Sequence, residues 1–584
     1  MIPYLLFVLG VLLVASPGIG CWTMVFPRDS AAQRMTWGSV LGIATAVYVA
    51  EICSFVHLSW FYAAWTALMM VIVVSFYLWP RLGGESLRGQ SEVVNEAGFL
   101  QRLTTGPHLA LVLLLLLIGV LQIVAVRGYS VPRGWDPSFH LLLAKKIALS
   151  DGIIRDWQPF ESAALNYPIG SHYLIVLFSW FSGLPLPLVF QLLMVTFGLL
   201  SILAIFTLAG EYFASATVGL YASIAYSLWA FWGSTDYLAW GGLPNQLGML
   251  MGLGILSLVI RNGEQKKRII LIALLFAAIC LTHHHVMVTM GIILIVQMLI
   301  FLAIRDPDRR YLTLFYALGL SAGAAAFFLI PYAMKAVSVS DTRVFHFHDP
   351  LDLMRMGLVL VPFALVGAAL DYSRKGASSH VFHSASATLL LLYVLFGPGY
   401  YYYQLATTGE GFVAFTPSRF LSDLTYFFSI FAGYALFRAE KYFGFSGRVT
   451  IALALLLALT NLPQWDDLLV NDGGRGRFAA YDWIANHTPA NSIVFTTEPW
   501  ACYATWRRTL LTPMPISEPR VPPRISEHAK MQMLYGRHPA ELRGIELLEV
   551  LGPGERQGGK VLWSNADGWT VAEPPERFDI RELP

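Results

Sequence analysis

The chain has 584 residues, of which 56% are hydrophobic and only 13% are charged. A soluble domain carries about 25% charged residues, so this composition excludes a soluble globular protein and indicates a polytopic membrane protein. With 39 Lys and Arg against 37 Asp and Glu, the net charge of +2 gives no reason to expect a nucleic-acid partner. The four cysteines form neither a disulfide framework nor a zinc motif.

Apolar runs recur along most of the chain. A membrane-spanning helix needs about 20 mostly apolar residues, and by this rule we predict roughly 13 to 15 helices. The first run, residues 3–25, has no basic residue before it and is longer than a signal-peptide core, so we expect a retained span. The later runs are 36–57, 59–80, 107–126, 171–183, 186–210, 216–233, 243–260, 269–286, 287–304, 311–334, 352–370, 381–398, 420–436 and 449–463.

Charge in the loops predicts the orientation of these spans. Lys and Arg cluster in short loops that alternate along the chain, and the positive-inside rule places such loops in the cytoplasm. They are 27–34, 81–102, 261–268, 305–310, 371–375 and 437–448. The outward-facing loops are then 127–170, 234–246, 335–350 and 399–419. This alternation holds only if the short run 171–183 enters the membrane and returns, or if one of its neighbours does not span.

Hydropathy falls after Pro463, and about 120 residues follow with a helix-then-strand pattern and a hairpin pattern. The sequence therefore predicts an all-α polytopic transmembrane protein with a small C-terminal α/β domain outside the cytoplasm. We assign three regions: an N-terminal transmembrane module, a main transmembrane domain that contains the first outer loop, and the extracytoplasmic domain. Their bounds are 1–106, 107–463 and 464–584.

The first outer loop contains the charged stretch "RGWDPSFHLLLAKKI" between two apolar regions. Asp136 followed by Pro137 is a typical helix start, with the aspartate as the N-cap. Apolar residues then recur at helical spacing, which predicts a partly amphipathic helix lying on the outer membrane surface. In this helix Lys145 points to solvent, His140 lies at the edge of the apolar face, and Lys146 must snorkel outward.

This loop resembles the corresponding region of the GT-C glycosyltransferases, which take sugars from polyprenyl-phosphate carriers. The resemblance rests on an Asp directly after a span, followed by "AKKIALSDGIIRDWQPF" and "LNYPIGSHYLI", and it continues in "LTHHHVMV", "TPSRFLSDL" and "DWIANHTP". It implies a GT-C-like fold and inverting transfer of a sugar to an extracytoplasmic glycan, lipid or protein. The Asp-x-Asp pair of metal-dependent members is absent, because Asp136 is followed by Pro137 and Ser138. A divalent metal is therefore left open, and no other cofactor is expected.

The chemistry of such a transfer assigns roles to charged residues at the outer membrane face. A carboxylate must take the proton of the acceptor hydroxyl, and cationic groups must stabilise the leaving phosphate. By the resemblance, Asp136 is the general base. The alternative is that Asp136 only caps its helix, which would lower its pKa and weaken it as a base.

Several basic residues are candidates for binding the donor phosphate. Arg419 lies at the outer start of a span, where both the positive-inside rule and the helix dipole disfavour a cation, so it needs an anionic partner. The resemblance makes that partner the donor phosphate; the alternative is snorkelling to lipid headgroups. His140 and Lys146 flank Asp136, and Arg343 and His346 lie in a later outer loop that is either a phosphate site or an ordinary solvated loop.

Further candidates for substrate binding are Tyr167, His172, Asp236, His284 and His285. Successive helical residues are rotated by about 100°, so the three adjacent histidines that begin at residue 283 cannot converge on one metal ion from a regular helix. The alternative places these histidines in the aqueous interface at a helix end.

Aromatic residues in two outer loops are typical of a membrane-interface belt. Tyr237 and Trp240 lie in one of these loops, and Tyr400 to Tyr403 lie in another. We favour the belt over sugar stacking for both groups.

Two other functions remain open at this stage: a surface-polysaccharide polymerase or ligase, and a flippase or transporter of lipid-linked sugars. A transporter predicts charges near mid-membrane and broken helices at matched positions of two halves. Glu51, inside the second span, is one such charge. We expect a multi-pass protein of the cytoplasmic (inner) cell membrane, with the active site and C-terminal domain outside, whose partners are a polyprenyl-phosphate-linked sugar, membrane lipids and the acceptor.

Overall fold

The computed structural model describes residues 2–55, 106–127, 131–134, 136–150, 154, 167–230, 233–262, 265–336, 357, 359–373, 379–408, 418–459, 475–489, 492–495, 500–506, 508–510, 547–551, 561–566 and 570–572. The predicted span at 59–80, the loop at 81–102, and Arg343 and His346 lie outside these residues.

The first half of the chain is helical: α1 Ile2–Val25, α2 Ala31–Phe55, α3 Gly106–Val126, α4 Asp136–Leu149, α5 Gly170–Ser182, α6 Leu186–Phe213, α7 Ala216–Ile224, α8 Ser234–Trp240, α9 Leu243–Ile260 and α10 Gln265–Thr282. The helices continue as α11 His284–Ala303, α12 Arg310–Ala324, α13 Ala326–Ala336, α14 Leu360–Tyr372, α15 Ser379–Val394, α16 Tyr400–Thr408, α17 Ser418–Phe443 and α18 Gly447–Ala458. Eight apolar helical segments among the described residues are long enough to cross a membrane. The prediction of a polytopic, mostly helical membrane protein is therefore confirmed.

Polar contacts gather the basic loops at one end of the helix bundle. Arg261 donates hydrogen bonds to Asp29, at 2.7 Å, and to Glu211, at 2.6 Å. The Tyr212 hydroxyl donates to Asp371 at 2.6 Å. Because these residues lie in three of the predicted cytoplasmic loops and at the end of α6, those loops share one face of the protein. The positive-inside rule predicts that this face is cytoplasmic.

The short helix α5 does not cross the membrane. The His140 ring lies 5.1 Å from His172, in the first turn of α5, and 6.4 Å from Phe190, near the start of α6. Both helices therefore begin at the same end of the bundle. From there α6 runs for 28 residues, about 42 Å, to the opposite end, where Glu211 contacts Arg261. Helix α5 therefore does not carry the chain to the opposite end of the bundle, which is what the predicted alternation of the loops requires.

Helix α4 is buried, so the prediction of a helix lying on the membrane surface is wrong. Its residues from Pro137 to Ala144 are all buried, as are Lys146 and Ile147. One side packs against α5 and α6, and another against α20, a short helix of the C-terminal region (Trp500–Thr505). The pattern within α4 could not reveal this cover, which comes from a segment more than 350 residues later in the chain.

Lys145 binds the C-terminal segment that covers α4. It was predicted to be only solvated, but its ammonium group donates to the backbone carbonyl of Tyr503 at 2.8 Å. The same group lies 5.1 Å from the Tyr503 ring and 5.0 Å from the Trp506 ring. A cation at the C-terminal end of a helix is favoured by the helix dipole, and the two rings add cation–π attraction. Lys145 therefore joins α4 to the C-terminal domain.

The C-terminal domain combines α19 (Arg475–His487) and α20 with a five-stranded sheet. The strands are β1 Ile493–Phe495, β2 Arg508–Leu510, β3 Leu547–Leu551, β4 Val561–Ser564 and β5 Thr570–Ala572, in the order β2-β1-β3-β5-β4. The first three strands are parallel, and β5 pairs antiparallel with β3 and β4. Ala480 and Ile484 of α19 pack on Val494, Leu548 and Val571 of the sheet. The predicted α/β character of this domain is confirmed.

The orientation can be tested with engineered cysteines in a variant without the four native ones, since Cys502 is 1% exposed and a poor target. We expect Asp482→Cys, at an exposed position on α19, to react in intact cells with a membrane-impermeant maleimide. Lys266→Cys, exposed at the opposite face, should react only after lysis. The reverse pattern would invert the topology.

Candidate active site

The predicted base and the predicted phosphate ligand form an ion pair. The Arg419 guanidinium, in the first turn of α17, donates to the Asp136 carboxylate, at the start of α4, over 2.6 Å. The Arg419 side chain is 24% exposed and that of Asp136 is 31% exposed, so the pair is accessible to a ligand. In this structure Asp136 is thus the anionic partner that the unfavourable position of Arg419 requires.

An aromatic platform supports Arg419. The guanidinium lies 5.2 Å from the centre of the Trp240 ring. The indole N–H of Trp240 donates to Asp236 at 2.7 Å, and the Ser422 hydroxyl donates to the same carboxylate oxygen at 3.0 Å. Gly134 has a φ of +88°, and a Cβ there would lie 2.5 Å from the carbonyl oxygen of Trp240. The segment before Asp136 therefore packs directly on this platform.

The prediction of a membrane-interface belt is wrong for Tyr237 and Trp240. Tyr237 is fully buried, and its hydroxyl accepts a hydrogen bond from Asn245 at 3.1 Å. Trp240 is half-buried and faces Arg419. Composition alone could not separate these aromatics from a belt, because both uses place aromatic rings in outer loops. In the second loop, Tyr402 and Tyr403 are exposed, as a belt requires.

Burial shifts the acid strength of both carboxyl groups at this site. Partial burial raises the pKa of Asp136 above its ordinary value, and the charge of Arg419 opposes this rise. Burial raises the pKa of Asp236 to about 7 against the hydrogen bonds from Trp240 and Ser422. A raised pKa makes a carboxylate a stronger base at neutral pH, which suits proton abstraction.

A histidine cluster lies beside the ion pair, which we define as His140, His172, His283 and His284 around Tyr167. The ring centre of Tyr167 is 5.9 Å from His140, 5.8 Å from His172, 6.3 Å from His283 and 5.3 Å from His284. Nδ1 of His140 and Nε2 of His172 are 3.0 Å apart and share a hydrogen bond. Four rings from three separate segments thus surround one tyrosine.

His285 lies apart from this cluster. Its Nε2 is 3.1 Å from Asp423, which is fully buried and also accepts a hydrogen bond from Asn245 at 3.1 Å. The prediction that the adjacent histidines cannot all converge agrees with this divergence. The interface alternative is wrong for His283 and His285, which are 2% and 5% exposed.

Two other predicted phosphate ligands, His140 and Lys146, are buried in α4. Lys146 is 8% exposed, so the prediction that it snorkels to the surface is wrong. His140 pairs with His172 and belongs to the histidine cluster. His283 was weighed with its two neighbours but not selected as a site residue, and sequence reasoning missed the contact between Trp240 and Arg419. The spacing of Asp236 and Trp240, four residues apart on one helix face, was the only signal for that platform.

A divalent metal would need several acidic or histidine side chains grouped around one point. Hard cations such as Mg²⁺ or Ca²⁺ take about six or more oxygen ligands. Among the residues that the structure describes, no three His, Cys, Asp or Glu side chains are grouped to hold an ion. Asp136 is paired with Arg419, and one oxygen of Asp236 already accepts two hydrogen bonds.

The exposure of the ion pair gives a prediction about stability. Partly exposed pairs contribute roughly 0–1 kcal/mol, so we expect Arg419→Ala to change the apparent melting temperature in detergent only slightly. Asp423→Ala should lower it clearly more, because each buried partner left unsatisfied, Asn245 and His285, costs about 1–3 kcal/mol. Equal losses would make the Asp136–Arg419 pair a structural element.

No protein-family model matches this chain, and no curated protein sequence matches it. Several solved structures, however, share the fold. The apo oligosaccharyltransferase of Archaeoglobus fulgidus aligns with a TM-score of 0.51 and 12% identity over 80% of this chain and 75% of that one. ArnT from Cupriavidus metallidurans, bound to undecaprenyl phosphate, aligns with a TM-score of 0.54 and 12% identity over 79% of this chain and 97% of its own. The arabinofuranosyltransferase AftD from Mycobacteria aligns with a TM-score of 0.50 and 14% identity over 80% of this chain and 40% of its own. The chain therefore has the fold of the GT-C membrane glycosyltransferases.

Proposed function

We propose that this protein is an integral membrane glycosyltransferase that moves a sugar from a polyprenyl-phosphate carrier to an extracytoplasmic glycan, lipid or protein. The observation that carries the proposal is the contact between Asp136 and Arg419 at 2.6 Å. A carboxylate and a guanidinium in an accessible site are the two groups that transfer from a lipid phosphate requires. The GT-C fold supports the same assignment, since ArnT, which shares this fold, has been solved with undecaprenyl phosphate.

In the proposed reaction Asp136 takes the proton from the acceptor hydroxyl. The acceptor oxygen forms a bond to the anomeric carbon of the sugar as the bond from that carbon to the phosphate oxygen breaks. Polyprenyl phosphate leaves with the electron pair of the broken bond. A single displacement of this kind inverts the configuration at the anomeric carbon, because the acceptor attacks from the side opposite to the phosphate.

Arg419 links the base to the leaving group. A guanidinium has five N–H donors, and the contact with Asp136 uses one of them. The others can bind phosphate oxygens, which Arg recognises in a planar fork. When the phosphate shares the charge of Arg419, the guanidinium lowers the pKa of Asp136 less, and Asp136 becomes a stronger base. Donor binding would thus activate the base.

Trp240 and Asp236 act through Arg419 as positioning residues in this proposal. The Trp240 ring supports the flat face of the guanidinium, and Asp236 fixes the ring through its indole N–H. Fixing the guanidinium before the donor arrives reduces the entropy lost on binding.

A flippase of lipid-linked sugars is the second candidate, and the observation that favours it is Glu51. This carboxyl group is 6% exposed inside the span α2, and one of its oxygens meets no hydrogen-bond partner among the described residues. Buried acids within spans are typical of transport pathways. A flippase would translocate a fluorescent polyprenyl-phosphate sugar in proteoliposomes without acceptor, whereas a transferase would not. A polysaccharide polymerase or ligase would instead release products with long glycan chains.

Asparagine at position 136 separates the base from the helix cap, because it caps a helix nearly as well as aspartate but cannot take a proton. The donor is first identified by mass spectrometry of lipids that copurify with the protein. We expect Asp136→Asn to slow conversion of this donor to polyprenyl phosphate by about 10² to 10⁴ while melting temperature and carrier binding stay unchanged. Asp482→Asn, at an exposed position of the C-terminal domain, is the matched control. Normal turnover by Asp136→Asn would leave Asp136 as a cap only.

The pH dependence of transfer follows from the same contact. A general base works when deprotonated, so the rate falls as the pH drops through its pKa. Because partial burial raises the pKa of Asp136, this fall should occur at a higher pH than for an ordinary aspartate, and it should move to still higher pH in Arg419→Gln, which removes the opposing charge. Arg419→Lys retains the charge and should shift the pH of this fall less than Arg419→Gln does. The measurement is kcat against pH at saturating donor; an unmoved acidic limb in Arg419→Gln would separate Asp136 from the chemistry.

A further inference from the structure

The histidine cluster is not used by the proton transfer or by phosphate binding, yet it lies next to both groups. Its members come from α4, from the start of α5 and from the junction of α10 and α11. His140 lies four residues, about one helical turn, after Asp136 in α4. The ring of His285, directly after the cluster, lies 4.8 Å from the ring of Phe420, which directly follows Arg419. The cluster therefore occupies the position next to the proposed phosphate site where the rest of a donor molecule would lie.

The imidazoles of this cluster are suited to bind as neutral groups. The hydrogen bond between Nδ1 of His140 and Nε2 of His172 requires that one of these two nitrogens carries no proton. Both rings are buried, at 3% and 0% exposed. Burial lowers the pKa of His140 and of His283, and the neighbouring rings and Arg419 lower it further. A neutral imidazole offers one donor and one acceptor, which matches a sugar hydroxyl.

One nitrogen of the cluster has no partner among the residues that the structure describes. Nδ1 of His283 is buried without a hydrogen bond, although the residue is only 2% exposed. A buried polar atom without a partner is costly, and such atoms are rare in folded proteins. A ligand hydroxyl in the cluster would satisfy it, and the Tyr167 ring, which lies 6.3 Å from His283, offers an apolar surface for a sugar ring.

Three described carboxylates near the cluster are engaged by protein groups, whereas Glu51, which like His172 contacts the backbone of Ile169, keeps one oxygen without a partner among the described residues. Asp136 binds Arg419, Asp236 accepts from Trp240 and Ser422, and Asp423 accepts from Asn245 and pairs with His285. Next to the carrier phosphate, a positively charged sugar would be repelled by the guanidinium of Arg419. Hydroxyl groups incur no such repulsion.

We propose that the histidine cluster is the subsite for the donor sugar ring, and that it takes an uncharged, hydroxyl-bearing sugar in preference to a cationic amino sugar. This inference rests on the proposed function, because it presumes that Arg419 holds the carrier phosphate. His283 is the residue whose partner the sugar supplies, and Tyr167 is the surface on which the ring packs.

The test compares the binding of three kinds of synthetic lipid to the purified full-length protein. They are undecaprenyl phosphate itself, a panel of neutral hexosyl and pentosyl phosphoundecaprenols, and a phosphoundecaprenol that carries a 4-amino sugar. Binding is measured by quenching of tryptophan fluorescence at neutral pH. We expect at least one neutral sugar to bind more tightly than the bare carrier, and the amino sugar to bind no more tightly than the bare carrier.

Variants identify the residues responsible. His283→Ala should reduce the preference for the neutral sugar over the bare carrier by about threefold to tenfold, the effect of one lost hydrogen bond, while the affinity for the bare carrier stays unchanged. His108→Ala is the matched control, since His108 packs on Phe206 outside the cluster. If His283→Ala does not fold, His284→Ala gives the same comparison from a half-buried position, with its ring 5.3 Å from Tyr167.

The outcomes distinguish this inference from the proposed function. An unchanged preference in the folded cluster variant, or tightest binding of the amino sugar, would overturn the subsite while leaving the transferase intact. Carrier binding without any dependence on the sugar would do the same. If the wild-type protein binds none of the lipids, or if Arg419→Ala weakens none of them, the proposed function itself fails.

Discussion

The contact between Asp136 and Arg419 is the constraint on which the arrangement of the outer face depends. It joins the start of α4, in the first outer loop, to the start of α17, almost 300 positions later. Each partner is at a helix start, where the dipole favours the carboxylate and disfavours the guanidinium. The favourable placement of the carboxylate therefore offsets the unfavourable placement of the guanidinium. Among the described residues, Asp136 is the partner of one guanidinium donor, and the other donors are available to an anion.

This contact requires that α4 has a fixed position, and burial of α4 provides that fixed position. The helix packs between the bundle and the C-terminal domain, with Lys145 bound to the end of α20. A helix lying freely at the membrane surface would let Asp136 move by several ångströms, whereas proton transfer from a bound substrate requires positions fixed to well under that distance. The C-terminal domain thus contributes to the candidate site through the helix it covers, and none of the candidate site residues named above belongs to that domain.

The two ends of the bundle use charge in different ways. At the end with the basic loops, Arg261 pairs with Asp29 and Glu211, whose side chains are 13% and 8% exposed, and these contacts tie α2, α6 and α9 together. At the site end, the ion pair is open to ligands and the buried polar groups are mostly neutral imidazoles, hydroxyls and amides. A buried permanent network stabilises the fold, whereas an accessible pair can exchange its partner for a substrate.

The sequence by itself determined the membrane class and most helix bounds, and it predicted the end of the bundle at which the candidate site lies. Long apolar runs and short basic loops are local patterns, because each span must satisfy its own backbone in lipid, and they predicted α9 at Leu243–Ile260 to the residue. The resemblance singled out Asp136 and Arg419, each as a separate residue with its own role. Only the tertiary structure decided that they bind each other, that Lys145 is covered, that Trp240 supports a cation and that His140 pairs with His172. These contacts join residues that are far apart in the chain. The distance between two such residues is set by how the helices pack together, and the periodicity of one helix carries no information about that packing.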